Sequence, residues 1–189
     1  MTLNEQILAY QPQNEQEEKD KQLILDFLKA NQDAFLRTNR VGHMTASAWV
    51  TNRERSKVLM VYHNIYHSWS WCGGHADGET DLLQVALKEC REETGLNHVH
   101  PVSQDIFSLE CLTVDGHEKH GEYVSSHLHL NVTYLLEADE TEPLSVCEQE
   151  NSGVKWFSTD EALTASTEPW FVDRIYRKLN RRLARFSEK

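Results

Sequence analysis

The stretch from Gly73 to Gly95 constrains the fold of this 189-residue chain more than any other. A glycine-rich turn from Gly73 to Gly78 is followed by a segment from Glu79 to Thr94 whose apolar residues recur with the spacing of an amphipathic helix. Gly95 comes next, at the position where glycine commonly ends a helix. The residues from Trp69 to Cys72 have the alternation of a strand. The sequence therefore predicts a strand, a turn and a helix in that order.

Three glutamates lie together along the edge of the apolar face of this predicted helix. Residues three and four positions apart are neighbours on a helix surface, so Glu89, Glu92 and Glu93 crowd their negative charges. Magnesium prefers oxygen ligands and combines a few carboxylates with water and substrate phosphates. The glycine turn, expected at the start of the helix, would present backbone N–H groups to an anion. Together these features indicate a bound metal and a phosphate.

The stretch from Gly73 to Leu96 resembles the Nudix box, the signature of Nudix hydrolases. The conserved glycine of the box falls on Gly74, and its metal-binding, catalytic glutamates fall on Glu89, Glu92 and Glu93. The final glycine of the box falls on Gly95. The order of strands elsewhere in the chain agrees more loosely with the same family.

Two positions differ from the pattern of that family. Lys88 stands where the box has an arginine, and lysine lacks the planar, forked guanidinium. Thr80 stands where the box has a glutamate, with Glu79 beside it as a substitute after a small shift of the helix start. Neither difference removes one of the three predicted metal ligands.

The resemblance implies an α/β Nudix fold in which a mixed β-sheet is sandwiched between α-helices. An N-terminal helical extension (residues 1–40) would precede a Nudix hydrolase domain (residues 41–189). The implied activity is magnesium-dependent hydrolysis of a diphosphate linkage in a nucleoside diphosphate joined to another moiety, such as ADP-ribose or a nucleotide sugar, with Mn²⁺ as a substitute for Mg²⁺.

The resemblance also implies the roles of particular residues. The catalytic residues and metal ligands would be Glu89, Glu92 and Glu93. The residues in contact with substrate would be Gly73, Gly74 and His75. A further base recruited from a loop has four candidates: Glu118, Glu122, Glu148 and Glu150.

Two other functions remain open at this stage. An isomerase of the isopentenyl diphosphate type shares this fold and uses an active-site cysteine, for which Cys72 is the candidate. A non-catalytic module would bind a nucleotide without cleaving it. The presence of all three glutamates argues against such a module.

Composition excludes several classes of partner. Lysine and arginine number 19 against 30 aspartates and glutamates, and the net charge of −11 argues against nonspecific binding to nucleic acid or anionic membranes. Four scattered cysteines suggest neither a zinc site nor a disulfide framework, so a reduced, cytoplasmic protein is expected. No export signal or membrane-spanning segment is expected either.

The remaining elements follow from local patterns. An amphipathic helix is predicted from Glu15 to about Arg37, and its apolar face needs a partner, either the main domain or a second subunit in a homodimer. The other predicted elements are strands at 45–50, 57–62, 106–114, 128–136 and 154–157, a polar loop at 115–126, and helices at 158–165 and from about residue 170.

Several conspicuous side chains have a plain structural interpretation. His127 and His129 alternate on a predicted strand, where contact with phosphate or metal is one alternative; they are expected instead to be packing or surface residues. Trp69 and Trp71 are expected to pack in the core. The basic residues of the last helix are expected to form a solvated face; they are Arg174, Arg177, Lys178, Arg181, Arg182 and Arg185.

Overall fold

The fold is built around one mixed β-sheet. The structure, a computed structural model, describes residues 1–119 and 121–187. The strands are β1 (Gly42–Thr51), β2 (Lys57–His63), β3 (Ser68–Ser70), β4 (Cys72–His75), β5 (Val99–Pro101), β6 (Ser108–Val114), β7 (His117–Lys119), β8 (Glu122–Val124), β9 (His127–Ala138) and β10 (Asn151–Ser158). The helices are α1 (Leu3–Ala9), α2 (Glu15–Ala30), α3 (Leu82–Thr94), α4 (Thr159–Ala165), α5 (Pro169–Phe171) and α6 (Arg177–Ser187), with a π-helical segment at Val172–Tyr176. Within the described ranges, no helix combines the length and the apolar composition needed to cross a membrane.

Strand β1 lies at the centre of the sheet. The main strand order is β10-β2-β1-β9-β5, and β3, β4 and β6 pair with β2, β1 and β9 respectively. Strands β1 and β9 are parallel, whereas their other pairings are antiparallel. Every residue of β1 is buried, as expected for a central strand covered on both faces. The predicted mixed sheet is confirmed.

Side chains of β1 alternate between two helical layers. Met44 and Ala46 belong to the same core cluster as Ala86 of α3. Trp49 belongs to a second cluster and stacks on Tyr176, with 5.4 Å between the ring centroids. Because successive side chains of a strand point to opposite faces, α3 covers one face of the sheet and the C-terminal helices cover the other. The predicted layering of helices on both sides of the sheet is confirmed.

The N-terminal helices pack onto the sheet. Ile24 of α2 is fully buried in the same core cluster as α3, and α2 lies against β6. Helix α2 ends at Ala30, so the prediction that it continues to about Arg37 is wrong. Asn31 is extended, and its side-chain amide donates to the Phe27 carbonyl at 2.9 Å, which stops the helix there. The apolar face of α2 thus has its partner within this chain.

A buried ion cluster joins α2, β6 and α6. Lys178 Nζ lies 2.9 Å from Glu110 Oε1 and 3.1 Å from Glu17 Oε1. No more than 1% of any of these three side chains is exposed. Glu110 also accepts hydrogen bonds from the side chains of Asn131 and Thr133. The predicted solvated position of Lys178 is therefore wrong.

Arg182 also departs from the predicted solvated face. Its guanidinium lies 4.9 Å from the ring centroid of Tyr10 and donates to the Tyr10 hydroxyl at 2.6 Å. Lys178 and Arg182 are four residues apart and share one side of α6, and that side meets the N-terminal segment. The other four basic residues are exposed, as predicted: Arg174, Arg177, Arg181 and Arg185.

The glycines predicted to form a turn belong instead to strand β4. Gly74 pairs with Ala46 in antiparallel register, and a Cβ on Gly73 would lie 2.7 Å from the Ala46 carbonyl oxygen. Glycine is therefore required by close contact between strands. The turn lies further along, at Asp77 and Gly78, whose φ angles are 47° and 93°.

The predicted polar loop at 115–126 contains a hairpin. Strands β7 and β8 pair in antiparallel register, with His117 opposite Val124. Residue 120, between them, lies outside the described residues. The sequence analysis did not predict these short strands, because they are polar and, in the described part of the chain, pair only with each other.

Candidate active site

Helix α3 carries the predicted catalytic glutamates. Asp81 is its N-cap, and the Asp81 side chain accepts a hydrogen bond from the Gln84 backbone N–H at 3.3 Å. The helix therefore begins at Leu82, not at the predicted Glu79, because an aspartate cap lies next to the apolar run. Gly95, with a φ of 75°, ends the helix as predicted.

The three glutamates extend from the protein core to solvent. Glu93 is 3% exposed, whereas the side chains of Glu89 and Glu92 are 13% and 55% exposed. All three lie on the C-terminal half of α3. The cluster therefore has one fixed, buried carboxylate and one that is open to solvent, which is the arrangement that a site reached from outside requires.

Strand β4 holds two of these carboxylates. Glu93 Oε2 accepts a hydrogen bond from the Gly73 backbone N–H at 3.0 Å. A Cβ on Gly74 would lie 2.4 Å from both Cδ and Oε2 of Glu89, so only glycine leaves room for that carboxylate. The glycines had been predicted to present amides at the helix start. They lie on a neighbouring strand instead, where Gly73 donates to Glu93 and Gly74 lies against Glu89.

The electrostatics of the cluster favour a cation. Burial raises the pKa of the Glu93 carboxyl well above its usual range despite the Gly73 hydrogen bond, and the charges of Glu150 and Glu89 raise it further. Burial likewise raises the pKa of Glu89, to which the charges of Glu150 and Glu92 add. Carboxylates that repel one another beside a core are stabilised by a divalent ion. The donor set, oxygen only and partly open to solvent, fits magnesium.

Lys88 partly neutralises the cluster. Its ammonium lies 3.3 Å from Glu89 Oε1 and 3.3 Å from Glu92 Oε2. The Glu89 carboxylate raises the pKa of Lys88, so this side chain remains charged. Because 63% of the side chain is exposed, solvent screens these ion pairs and Lys88 can swing away. The lysine at this box position thus contacts the predicted metal ligands directly.

The loop before β10 brings a further carboxylate close to the site. Asn151 Nδ2 donates to the Glu93 carbonyl at 2.9 Å, which fixes the chain beside the end of α3. Its neighbour Glu150 is exposed, and the charge of Glu150 acts on both Glu89 and Glu93. No local pattern in the sequence marks Asn151, because its contact with Glu93 depends on how two distant segments pack.

The other base candidates lie in different surroundings. Glu118 and Glu122 are exposed on the β7–β8 hairpin, and Glu148 is exposed in the loop before β10. The identity of a loop base stays a prediction, with Glu150 the candidate that the electrostatics favour.

Glu79 interacts with its own turn. Its Oε1 accepts hydrogen bonds from the backbone N–H groups of Thr80 at 2.7 Å and Asp81 at 2.8 Å. These bonds occupy one carboxylate oxygen just before α3. The replacement of the missing box glutamate by Glu79 stays a prediction.

Cys72 and the two tryptophans pack in the core. Cys72 is fully buried; contact with Cys90, together with burial, raises the pKa of its thiol well above the usual range. A neutral, enclosed thiol is a poor nucleophile. Trp71 is 8% exposed, and the Trp69 ring lies 4.9 Å from the Phe157 ring, so the predicted packing role of both is confirmed.

His75 faces away from the glutamates. Gly74 points toward Glu89 on α3, so the next residue of β4 points to the other face of the sheet. There the His75 ring lies 5.1 Å from the His43 ring and 4.8 Å from the His129 ring, measured between centroids. Its role in substrate binding stays a prediction.

His43 was missed in the sequence, although a signal was present. It begins a row of polar residues at alternate positions of β1, continued by Thr45 and Ser47, which both donate to Asn131 Oδ1 at 2.9 Å. Such a row on a fully buried strand marks a polar site on one face. The ring of His127 lies 5.0 Å from His43 on this same face.

Comparison with protein families gives a match over more than half of the chain. The model described as "NUDIX domain" matches residues 42–179. A search of curated protein sequences gave no significant match.

Comparison with solved structures gives matches that cover nearly the whole of the other chain. A C. elegans Ap4A hydrolase is similar at 19% identity and a TM-score of 0.53, covering 76% of this chain and 96% of that one. A NUDIX-family hydrolase from Clostridium perfringens is similar at 19% identity and a TM-score of 0.54, and the match covers 76% of this chain and 97% of that one. The E. coli dihydroneopterin triphosphate pyrophosphohydrolase is similar at 12% identity and a TM-score of 0.55, and the match covers 77% of this chain and 94% of that one. At such identities these likenesses show a shared fold.

Proposed function

The chain belongs to the Nudix family of pyrophosphohydrolases, and on that premise we propose that it uses Mg²⁺ to cleave the diphosphate linkage of a nucleoside diphosphate joined to another moiety. ADP-ribose and nucleotide sugars are compounds of this class. The observation that carries the proposal is the cluster of Glu89, Glu92 and Glu93 on α3, with two of its members held against the glycines of β4. Enzymes of this family use a divalent metal, and Mn²⁺ is the expected substitute for Mg²⁺.

The three glutamates have different tasks in the proposed site. Glu93 is oriented by the Gly73 N–H, which engages Oε2 and leaves Oε1 for a ligand. Glu89 is confined by its contact with Gly74. Glu92 is more than half exposed and can turn toward an arriving ion as Lys88 withdraws. A metal ion bound here supplies Lewis acidity and lowers the pKa of a bound water.

The surrounding residues complete the proposed machinery. Gly73 and Gly74 of β4 are the residues that we expect beside the substrate. A substrate contact by His75 stays a prediction, since its side chain faces the opposite side of the sheet. Glu150 is the base that we expect to take a proton from the attacking water, since its charge reaches Glu89 and Glu93. Its exposure allows it to approach from the loop before β10.

The substrate class is supported by charge. A diphosphate blocked at both ends carries fewer negative charges than a nucleoside triphosphate or a capped RNA. Such a ligand suits a protein with a net charge of −11, because repulsion grows with the charge of the ligand. The structural neighbours include an Ap4A hydrolase and a dihydroneopterin triphosphate pyrophosphohydrolase, so both compounds belong in the test.

A substrate panel read by mass spectrometry tests this proposal. It comprises ADP-ribose, nucleotide sugars, Ap4A, dihydroneopterin triphosphate, nucleoside triphosphates and isopentenyl diphosphate, each with and without Mg²⁺. We expect the fastest cleavage for ADP-ribose or a nucleotide sugar, and only when Mg²⁺ is present. Faster turnover of the triphosphates or of Ap4A would overturn the substrate class while leaving the metal mechanism intact.

Variants of the cluster test the mechanism. Glu92→Gln and Glu93→Gln should each lower turnover by about 100-fold or more, because a ligand or base is lost. Circular dichroism should show that both variants remain folded. Glu18→Gln, an exposed glutamate on α2, is the matched control and should retain full activity. Unchanged turnover in both cluster variants would refute the assignment.

Two further points of function follow from burial. Cys72 is enclosed, so Cys72→Ala should leave phosphate-bond cleavage in place, whereas it would abolish the activity of an isomerase of the isopentenyl type.

A homodimer stays a prediction. Since α2 already packs against β6, a second subunit would have to use another surface.

A further inference from the structure

Four histidines from three strands converge on the sheet face opposite the glutamates. They are His43 of β1, His75 of β4, and His127 and His129 of β9. One ring nitrogen from each of His43, His75 and His129 lies within 4.8 Å of the other two. His43 and His129 are direct partners in the parallel pairing of β1 and β9, so the backbone itself holds them together.

His43 has a buried ring nitrogen with no hydrogen-bond partner among the residues that the structure describes. Its Nδ1 lies 3.2 Å from the Asn39 carbonyl oxygen, so Nδ1 carries the hydrogen and donates it. Its Nε2 is then an acceptor, and it is buried without a hydrogen-bond partner in a side chain that is only 4% exposed. Buried polar atoms are normally satisfied, and a histidine that donates one ring N–H to a carbonyl presents the other nitrogen to a metal.

His127 positions His129. The Nδ1 of His127 lies 2.8 Å from the Ser125 carbonyl oxygen, which makes the Nε2 of His127 an acceptor. That Nε2 lies 3.2 Å from the Nε2 of His129. His129 therefore donates from Nε2, and its Nδ1 is left as the nitrogen that can bind a ligand.

The environment keeps the His43 and His129 rings neutral. Burial lowers the pKa of His43, and burial together with the neighbouring histidines lowers the pKa of His129 to about 2. Neutral imidazole is the form that binds a metal ion. Imidazole nitrogens suit zinc, copper, iron and nickel, whereas magnesium prefers oxygen.

We propose that His43, His75 and His129 form a second metal site, for a divalent transition-metal ion of the zinc type, with His127 orienting His129. The site joins β1, β4 and β9 next to the glycines that support the glutamates. A point central to three nitrogens 4.8 Å apart is about 2.8 Å from each. Zinc–nitrogen bonds are about 2.0–2.1 Å, so each ring needs to move by less than about 1 Å to close the site.

Zinc binding to the chelator-treated full chain tests the proposal. Zn²⁺ is titrated in the presence of excess Mg²⁺, which occupies the glutamates, and bound zinc is counted by mass spectrometry of the dialysed protein. We expect one zinc ion per chain. Zinc-edge X-ray absorption of the wild-type protein should show imidazole ligands; a shell of oxygen alone would place the ion elsewhere and overturn the proposal.

Variants locate the ion. His43→Gln and His129→Gln should each weaken zinc binding by about 100-fold or more, and His127→Gln by about 10-fold, as expected for a ligand and an orienting partner. His98→Gln is the matched control, since the His98 side chain is 84% exposed and distant from the cluster in sequence. Equal zinc affinity in wild type and in both ligand variants would refute the site.

The result is separable from the proposed hydrolase function. Glu92→Gln should retain its zinc ion while losing turnover. If the wild-type protein binds zinc through imidazole but cleaves none of the panel, the hydrolase substrate is wrong and the histidine site stands. Loss of zinc in Glu92→Gln would instead assign the ion to the glutamates.

Discussion

At the scale of single residues, Gly73 and Gly74 matter because of what lies against them. A Cβ on Gly74 would meet the end of a side chain, that of Glu89, whereas a Cβ on Gly73 would meet the backbone of Ala46 and Ser47. The Glu89 side chain can rotate away, whereas the backbone of Ala46 and Ser47 cannot. Gly74 therefore makes room for a proposed metal ligand, whereas Gly73 allows a close contact between strands.

Alanine substitutions should separate these two tasks. Gly74→Ala should weaken Mg²⁺ binding by about 10-fold, because it displaces a ligand without disturbing the sheet. Gly73→Ala should lower the free energy of unfolding by about 2 kcal/mol, because it forces β4 away from β1. Calorimetric titration with Mg²⁺ and urea unfolding measure the two effects. An equal loss of stability in both variants would contradict the distinction.

The glutamates were predictable from sequence because their relation is local. Helical spacing alone places Glu89, Glu92 and Glu93 together. Glu93 is also buried and accepts a hydrogen bond from Gly73, twenty residues away. This contact depends on the pairing of β4 with β1 and is not local. The alternating polar row of β1 marks His43 as a polar position, but its clustering with His75 and His129 depends in the same way on strand pairing.

At the scale of elements, a clamp connects the segment after α2 to the turn before α3. Arg37 Nε donates to Asp77 Oδ1 at 2.6 Å, and a second bond joins Arg37 Nη2 to Asp77 Oδ2. The hydrogen bonds from Arg37 hold the pKa of the Asp77 carboxyl below its usual value. Asp77 has a positive φ, so the clamp stabilises a turn that few residues adopt readily.

The clamp should make stability depend on pH in the acid range. The Asp77 carboxyl binds a proton less readily in the folded state than in the unfolded state. Its contribution to the free energy of unfolding is therefore fully present above the unfolded pKa of 3.8 and is lost as the pH falls through the lower pKa of the folded state. Asp77→Asn should be less stable than wild type near neutral pH and equally stable in strong acid. The difference in the free energy of unfolding should be less than about 1 kcal/mol, because both side chains of the pair are half exposed. Thermal unfolding across pH measures this difference.

A double-mutant cycle with Arg37→Met supplies the control. In that background Asp77→Asn should have little further effect on stability. An undiminished effect would show that the carboxylate acts through another group.

Elements with strong local patterns were predicted well, and those that depend on distant partners were not. Strands β1 and β2 follow from apolar, β-branched runs bounded by polar residues. Strand β4 was read as a turn because two of its four residues are glycine, and its pairing with β1 overrides that preference. Helix α2 was extended too far because the stop at Asn31 depends on a side-chain hydrogen bond.

At the scale of the whole molecule, the cluster of Lys178, Glu17 and Glu110 ties both ends of the chain to the sheet. The sequence could not reveal it, because 161 positions separate Glu17 from Lys178 and a lysine in a basic helix is normally solvated. Burial alone would lower the pKa of Lys178, but the charges of Glu110 and Glu17 raise it above its usual value. The division at residues 40 and 41 stays a prediction, and this cluster bridges it.

Removing the lysine charge should destabilise the fold strongly. Lys178→Met leaves two buried carboxylates without their cation and should lower the free energy of unfolding by about 3 kcal/mol or more. Lys29→Met, at an exposed position of α2, should change it by less than about 0.5 kcal/mol. Urea unfolding measures both. Restoring part of the loss with Glu17→Gln in the Lys178→Met background would show that uncompensated charge is the cause.

Two successive residues of β4, Gly74 and His75, face chemically different sides of the sheet. Gly74 opens toward carboxylate oxygens, and His75 projects toward imidazole nitrogens on the reverse. Oxygen and nitrogen donors differ in the cations that they prefer. With both proposed sites occupied, the sheet would separate an abundant hard cation from a scarce softer one, so that the two ions need not compete for the same ligands.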